Sequence, residues 1–205
     1  MHWSETSVPG AWLVTPQLHE DARGLFLEAF TARSFEEAVG HRLELAQVNC
    51  SVSAAGVVRG VHFADVPPGQ AKYVTCVRGA VLDVVVDLRV GSPTFGRWEA
   101  VLLDDVTRRA VYLSEGLGHA FCSLEDGSTV VYLCSTGYDP AREHGVDPFD
   151  PELAIAWPGR GRDGAPLELR TSPKDAAAPR LAEAREAGLL PEHATVLAHL
   201  DSLRP

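Results

Sequence analysis

The segment VVRGVHF places His62 three residues after Arg59, and Lys72 follows ten residues later beyond the turn PPGQ. Imidazole titrates near about pH 6.5, so it can take or give a proton under ordinary conditions. A strand histidine taken alone is more simply a packing or surface residue. The flanking cations change that reading, because a positive cluster around an imidazole suits an anionic ligand or a negative charge that grows during a reaction. His119, in EGLGHAF, is a second candidate. Tyr132 offers a phenol in VVYLCS, where packing is the blander use. Tyr138 and Glu143 follow in the polar stretch GYDPAREH, and Lys174 and Asp175 lie in SPKDAAAP. Asp175 also reads as a helix N-cap or turn residue.

Two separated histidines invite a metal site, as in small metal-binding barrels. The spacing argues against it. No HxH pair is present, no glutamate follows His62 within a few residues, and Lys72 would set an ammonium beside a divalent cation. The chain contains neither GxGxxG nor GxxxxGK[ST], which disfavours a nucleotide-dependent oxidoreductase or a kinase. It contains no GxSxG either, so a serine hydrolase lacks support. Cys50, Cys76, Cys122 and Cys134 form no CxxC pair and read as reduced, partly buried thiols.

These candidates need a scaffold, and the chain outlines one. Its 205 residues, 45% hydrophobic, suit one domain. Strands are expected at Tyr73–Val77, Ala80–Leu88, Arg97–Leu103, Ala110–Leu113 and Thr129–Ser135. Within 82–89, Leu82, Val84, Val86 and Leu88 share one face, while Asp83, Val85, Asp87 and Arg89 share the other. Strands this closely spaced leave no room for crossover helices, so the sheet should be antiparallel, in a sandwich or jelly roll. Ser34 and Glu37 form a capping-box pattern for a short helix over 35–39 that Gly40 closes. Further helices are expected at Arg180–Ala187, closed by Gly188, and at 192–203, with 159–179 an ordered loop.

The net charge of −10 repels phosphate backbones and makes nucleic acid an unlikely partner, though a local basic cluster can still hold a diphosphate. No basic start followed by an apolar run marks a signal peptide, and no stretch approaches the roughly 20 apolar residues of a membrane span. The expectation is a cytoplasmic protein with no membrane partner.

Several runs occur together and in order: DARGLFLEAF, QVNCSVSAAGVVRGVHF, PPGQAKYVTCVRGAVLDVVVDLRVGSPTFGRW, YLSEGLGHAF, VVYLCSTGYDPAREHGV and SPKDAAAP. Over about residues 8–190 the chain resembles the dTDP-4-dehydrorhamnose 3,5-epimerase family. That resemblance implies a mainly β, cupin-like jelly-roll sandwich with short N-terminal and C-terminal helices, its core at about 45–140 and a helical segment at about 176–205. It implies a homodimer without metal or cofactor. The implied reaction is epimerisation of dTDP-4-dehydro-6-deoxy-D-glucose at C3 and C5.

By the same resemblance, His62 is the general base, Asp175 the carboxylate that orients it, Tyr132 the proton donor on the opposite sugar face and Lys72 the cation near the C4 oxygen. His119 contacts the sugar. Arg23, Arg59 and Lys174 surround the diphosphate and nucleotide, and Gln47, Asn49 and Ser51 lie on a binding strand. Phe26 and Glu28 meet thymidine, often from the partner subunit, while Tyr138 stacks on thymine and Glu143 makes a polar contact. Asp83 supports the basic cluster. The chain departs from the family pattern in the loop GRGRDGAPLELRT before SPKD, and at Cys50, where many relatives have histidine. A single-centre epimerase on a related keto-sugar and a metal-dependent cupin enzyme are the alternatives.

Overall fold

A computed structural model describes residues 1–204. Six strands form one antiparallel sheet in the spatial order β1 (His2–Glu5), β2 (Ala11–Thr15), β10 (Ala110–Leu113), β7 (Lys72–Arg78), β12 (Ser128–Cys134), β5 (Gln47–Ser53). Five form the facing sheet in the order β13 (Glu143–Gly145), β6 (Val58–Ala64), β11 (Leu117–Ser123), β8 (Ala80–Asp87), β9 (Trp98–Asp104). A separate hairpin pairs β3 (His19–Asp21) with β4 (Gly24–Phe26). The two sheets make the expected jelly-roll sandwich, and they reach beyond residues 45–140 because β1, β2 and β13 join them.

Val74, Val81, Val85, Val101, Leu113, Phe121 and Val130 fill the space between the sheets at one end. The outer face of the five-stranded sheet is covered as well. Val84, Val86 and Leu88 pack there with Leu153, Leu181 and Leu190 from the C-terminal part of the chain. Both faces of β8 are therefore buried, and its polar positions point into the molecule rather than to solvent. Asp87 is fully buried and accepts hydrogen bonds from the Arg89 guanidinium, Ser92 and Thr94 at 2.6–2.8 Å. The other sheet is covered only at its β1–β2–β10 side, where helix α1 (Ala32–Val39) seats Phe35 against Tyr73 and Tyr112.

The expected capping box at α1 does not form. Thr31 stands at the N-cap and makes no side-chain cap bond. The Ser34 hydroxyl instead accepts from the Trp3 indole N–H at 2.8 Å, and Glu37 pairs with Arg33 one turn back at 2.9 Å. A tertiary partner and an i,i+4 charge partner have taken the two groups the local motif needed. Gly40 closes the helix as expected, in the left-handed conformation at φ 90°. The later helices are α2 (Pro173–Ala176), α3 (Leu181–Glu186) and α4 (His193–Ser202). The expected loop 159–179 is interrupted by α2, and its first part is tied down: the Arg162 guanidinium meets both Asp105 and Glu125 at 2.9 Å, and Arg170 exchanges backbone hydrogen bonds with Gly56 and Val58.

One irregularity sets the geometry of the site. Strand β6 pairs with β11 at His62↔His119 and at Arg59↔Phe121, so three steps on β6 match two on β11. This is a β-bulge. In a regular strand, residues three apart face opposite sides. The extra residue turns Arg59 and His62 toward the same cavity, while Val61 and Phe63 face the outer core. Gly60 lies in the bulge at φ 108°, and a β-carbon there would meet the His119 carbonyl oxygen at 2.4 Å. Gly60→Ala is expected to destabilise the fold by about 2–5 kcal/mol, from left-handed strain plus overpacking. Urea denaturation checks this, with a lowered midpoint at unchanged slope as the expected result.

Candidate active site

His62 enters the space between the sheets from β6, and its Nε2 lies 2.7 Å from Asp175 Oδ1. The carboxylate accepts, so the proton sits on Nε2 and Nδ1 carries the free lone pair. Asp175 reaches this position from α2, a single turn that the Ser172 side chain caps by accepting the Asp175 N–H at 3.1 Å, with Pro173 at the first helical position. Burial by itself would raise the Asp175 pKa. The hydrogen bond and charge of His62, with Ser172 and the Gly60 N–H, outweigh that and hold the carboxyl below its ordinary 3.8. The loop before SPKD thus delivers the carboxylate to the histidine.

Tyr132 comes from the opposite sheet, on β12. His62, Lys72 and Tyr132 together line two adjoining recesses, of about 200 and 140 Å³. The larger also takes Asn49, Tyr138, Glu143 and Lys174, and the smaller takes Ser51, Arg59, His119 and Phe121. Imidazole and phenol therefore face one shared space. Burial raises the Tyr132 pKa, with the charges of Cys134 and Glu143 adding to it, so the phenol stays protonated at neutral pH. Arg59 and Asn49 act in the other direction.

Lys72 is only 7% exposed. Burial lowers its pKa, against the charges of Glu143, Cys134 and Asp83, which act through space rather than by direct pairing. With no salt-bridge partner among the described residues, its amine is free to meet a negative oxygen. His119 forms a second histidine–carboxylate pair, with Nε2 2.8 Å from Asp83 Oδ2 and both groups buried. Asp83 Oδ1 and Ser51 Oγ are buried without a partner among the described residues. Glu143 is held by Gln70, whose Nε2 lies 3.3 Å from Oε1 and which also donates to the Thr136 carbonyl. Gln47 Oε1 accepts the Tyr138 backbone N–H at 2.9 Å, and Arg59 Nε donates to Ser53 Oγ at 3.1 Å.

Three expected binding residues stand apart within the single chain. Arg23, Phe26 and Glu28 are exposed in the β3–β4 region, and Arg23 is paired with Asp21. Arg23 and Phe26 line a separate recess of about 310 Å³. The sequence reading passed over three residues near the site. His144 lines the larger recess, with its Nε2 2.7 Å from Asp65 Oδ1. Gln70 stands in the PPGQ turn directly before Lys72, which could have marked it. Arg170 lines a recess of about 390 Å³ with Arg59, His62, Lys174 and Asp175, and it lies in the loop whose path the sequence left open. Among the described residues, no group of three or more His, Cys, Asp or Glu side chains could hold a metal ion.

A jelly roll that presents a carboxylate-oriented imidazole and a phenol across one polar cavity, with a buried ammonium between the sheets, defines an acid–base isomerase. The family model described as dTDP-4-dehydrorhamnose 3,5-epimerase matches residues 5–183, and the chain belongs to that family. It is 60% identical over 200 residues to a dTDP-4-dehydrorhamnose 3,5-epimerase of Mycolicibacterium smegmatis, covering 98% of this chain and 96% of the relative. It is 63% identical over 188 residues to a dTDP-4-dehydrorhamnose 3-epimerase of Streptomyces niveus, covering 92% and 87%. Among solved structures, a Mycobacterium tuberculosis epimerase superposes with TM-score 0.94 at 54% identity over 100% of both chains. A 3'-monoepimerase from Streptomyces bikiniensis in complex with dTDP-quinovose superposes with TM-score 0.92 at 52% identity over 97% of this chain and 98% of that one.

Two outcomes follow from these electrostatics. Asp175 has a lowered folded-state pKa, so its stabilisation is present above its unfolded value and is lost as pH falls through the folded one. Thermal melts of the native protein and Asp175→Asn should differ above about pH 4 and converge in stronger acid. For Lys72→Met, removal of a desolvated charge should leave the melting temperature equal or higher, while turnover falls about 10²–10³-fold.

Proposed function

We propose that the protein epimerises dTDP-4-dehydro-6-deoxy-D-glucose at C3 and C5, giving dTDP-4-dehydro-L-rhamnose. The observation that carries this reading is the shared cavity of His62 and Tyr132, reached from facing sheets. Both reacting carbons flank the C4 ketone. His62 Nδ1 removes the proton from such a carbon, and the electron pair moves onto the ketone oxygen as an enolate. Lys72 faces the growing charge and stabilises it. Tyr132 then delivers a proton to the other face of the ring and inverts the centre. Asp175 stabilises the imidazolium that forms in between. No electrons are transferred, and the proton count closes when His62 and Tyr132 return to their starting states through solvent.

The remaining roles extend outward from the sugar. Arg59 and Lys174 suit the diphosphate, His119 the sugar, Tyr138 the thymine ring, and Gln47, Asn49, Ser51 and Glu143 the polar contacts along the cavity. Asp83 holds His119 for its part. We assign Arg23, Phe26 and Glu28 to the neighbouring cavity of a homodimer. Support comes from their absence from the lining of their own chain's cavity and from exposed apolar side chains: Val48 and Val52 on the outer side of β5 are 55% and 64% exposed, and Phe26 on β4 is 66% exposed. A cytoplasmic location is consistent with four free cysteines and with the absence, among the described residues, of any helix long and apolar enough to cross a membrane.

The single-centre alternative has a specific basis, since both 3-epimerases and 3,5-epimerases are among the similar proteins. Incubation with the keto-sugar in deuterated water, followed by NMR, separates the two. Deuterium at both C3 and C5 is the expected result, and deuterium at C3 alone would reject double epimerisation. His62→Ala should lower exchange about 10²–10⁴-fold. Normal turnover in that variant would exclude the mechanism.

A further inference from the structure

Strand β5 turns Gln47, Asn49 and Ser51 toward the cavity and Val48, Cys50 and Val52 away from it. Its register with β12 sets Asn49 directly opposite Tyr132 and Gln47 opposite Cys134. The Asn49 amide is held from both ends. Its Oδ1 accepts from Gln47 Nε2 at 2.7 Å, and its Nδ2 donates to Cys134 Sγ at 3.6 Å. Gln47 is anchored in turn, because its Oε1 accepts the backbone N–H of Tyr138 at 2.9 Å. A primary amide carries two N–H groups. With one directed at sulfur and the oxygen occupied, the other remains for the phenol across the strand pair.

An amide N–H can donate to oxygen but cannot take a proton from it. A phenolate therefore gains more from this contact than a phenol does. Asn49 and Tyr132 face each other across the strand pair and line the same recess, and Asn49 acts to lower the Tyr132 pKa against the larger upward push of burial. The chain of contacts also has a direction. It runs from the loop that carries Tyr138, through Gln47, to the residue facing the acid.

We propose that Asn49 is a positioning residue for the proton donor: fixed by Gln47, its amide holds the Tyr132 phenolate and links proton donation to the seating of the Tyr138 loop. The proposal rests on the epimerase reading given above. It adds that β5 acts on the reprotonation half of the reaction and leaves abstraction by His62 alone. When Tyr132 donates poorly, His62 returns a solvent-exchanged proton to the face it came from. Exchange then continues without inversion.

The experiment compares the native protein with Asn49→Leu, Asn49→Ser and Gln47→Met, using the keto-sugar in deuterated water and scoring deuterium uptake and inversion separately by NMR. Asn49→Leu should raise the ratio of exchange to inversion by about tenfold or more, since one proton-transfer partner is weakened and the other is not. Asn49→Ser, which keeps a donor, should recover part of the loss, and Gln47→Met should shift the ratio in the same direction by less. An equal fall in exchange and inversion, or a rise in KM alone, overturns the proposal. A second readout needs no substrate. The ultraviolet titration of Tyr132, taken as the difference from Tyr132→Phe, should move to higher pH in Asn49→Leu and Gln47→Met. An unmoved titration also overturns the proposal. Absence of any exchange in the native protein would instead count against the epimerase reading, and the titration would still decide the role of Asn49.

Discussion

The contact on which the site depends is the 2.7 Å hydrogen bond between His62 and Asp175, which joins residues 113 apart in sequence. It selects the tautomer of His62 that leaves Nδ1 unprotonated, and it ties α2 to β6. A neutral imidazole without that partner would be free to hold its proton on either nitrogen. A carboxylate at this burial without the histidine would be disfavoured as an anion. Each group makes the other's position tolerable, and α2 exists as one capped turn that presents the carboxylate.

The sandwich serves this contact by separating two duties. One end of the inter-sheet space is dry and filled by valine, leucine and phenylalanine. The other end is left polar, with imidazole, phenol and ammonium converging from β6, β12 and β7. The His62 imidazole and the Tyr132 phenol reach one recess from opposite sheets. That arrangement suits the proposed inversion of a carbon centre. Three histidines that line this space, His62, His119 and His144, are each paired with a carboxylate, Asp175, Asp83 and Asp65. Lys72 is the exception, held at a distance from carboxylates, and an oxygen that becomes negative would complete its environment.

Much of this was legible in the amino-acid order. Runs rich in valine, leucine and tyrosine, punctuated by glycine turns and alternating clearly in β8, located β7, β8, β9, β10 and β12 to within about a residue at each end. The ordered motifs pointed to the family and therefore to His62, Tyr132, Lys72 and Asp175 as a set. The helix after Ser34 was also legible, but its cap was not. Which partner a hydroxyl chooses depends on what packs nearby, and Trp3 lies 31 residues away. Gln70 and Arg170 escaped notice for a related reason: their use depends on which loops meet, and neither residue type is distinctive by itself.

Local chemistry, then, determined the strands, the closing glycine of α1 and the types of side chain available for proton transfer, because these follow from alternation, φ preference and pKa. Tertiary structure decided which of those side chains share a cavity. The bulge at Gly60 is the clearest instance. By alternation alone Arg59 and His62 belong to opposite faces, and only the mismatched register with β11 turns both inward. That phase shift is a property of two strands aligned together, 58–64 with 117–123, so neither strand carries it when read singly.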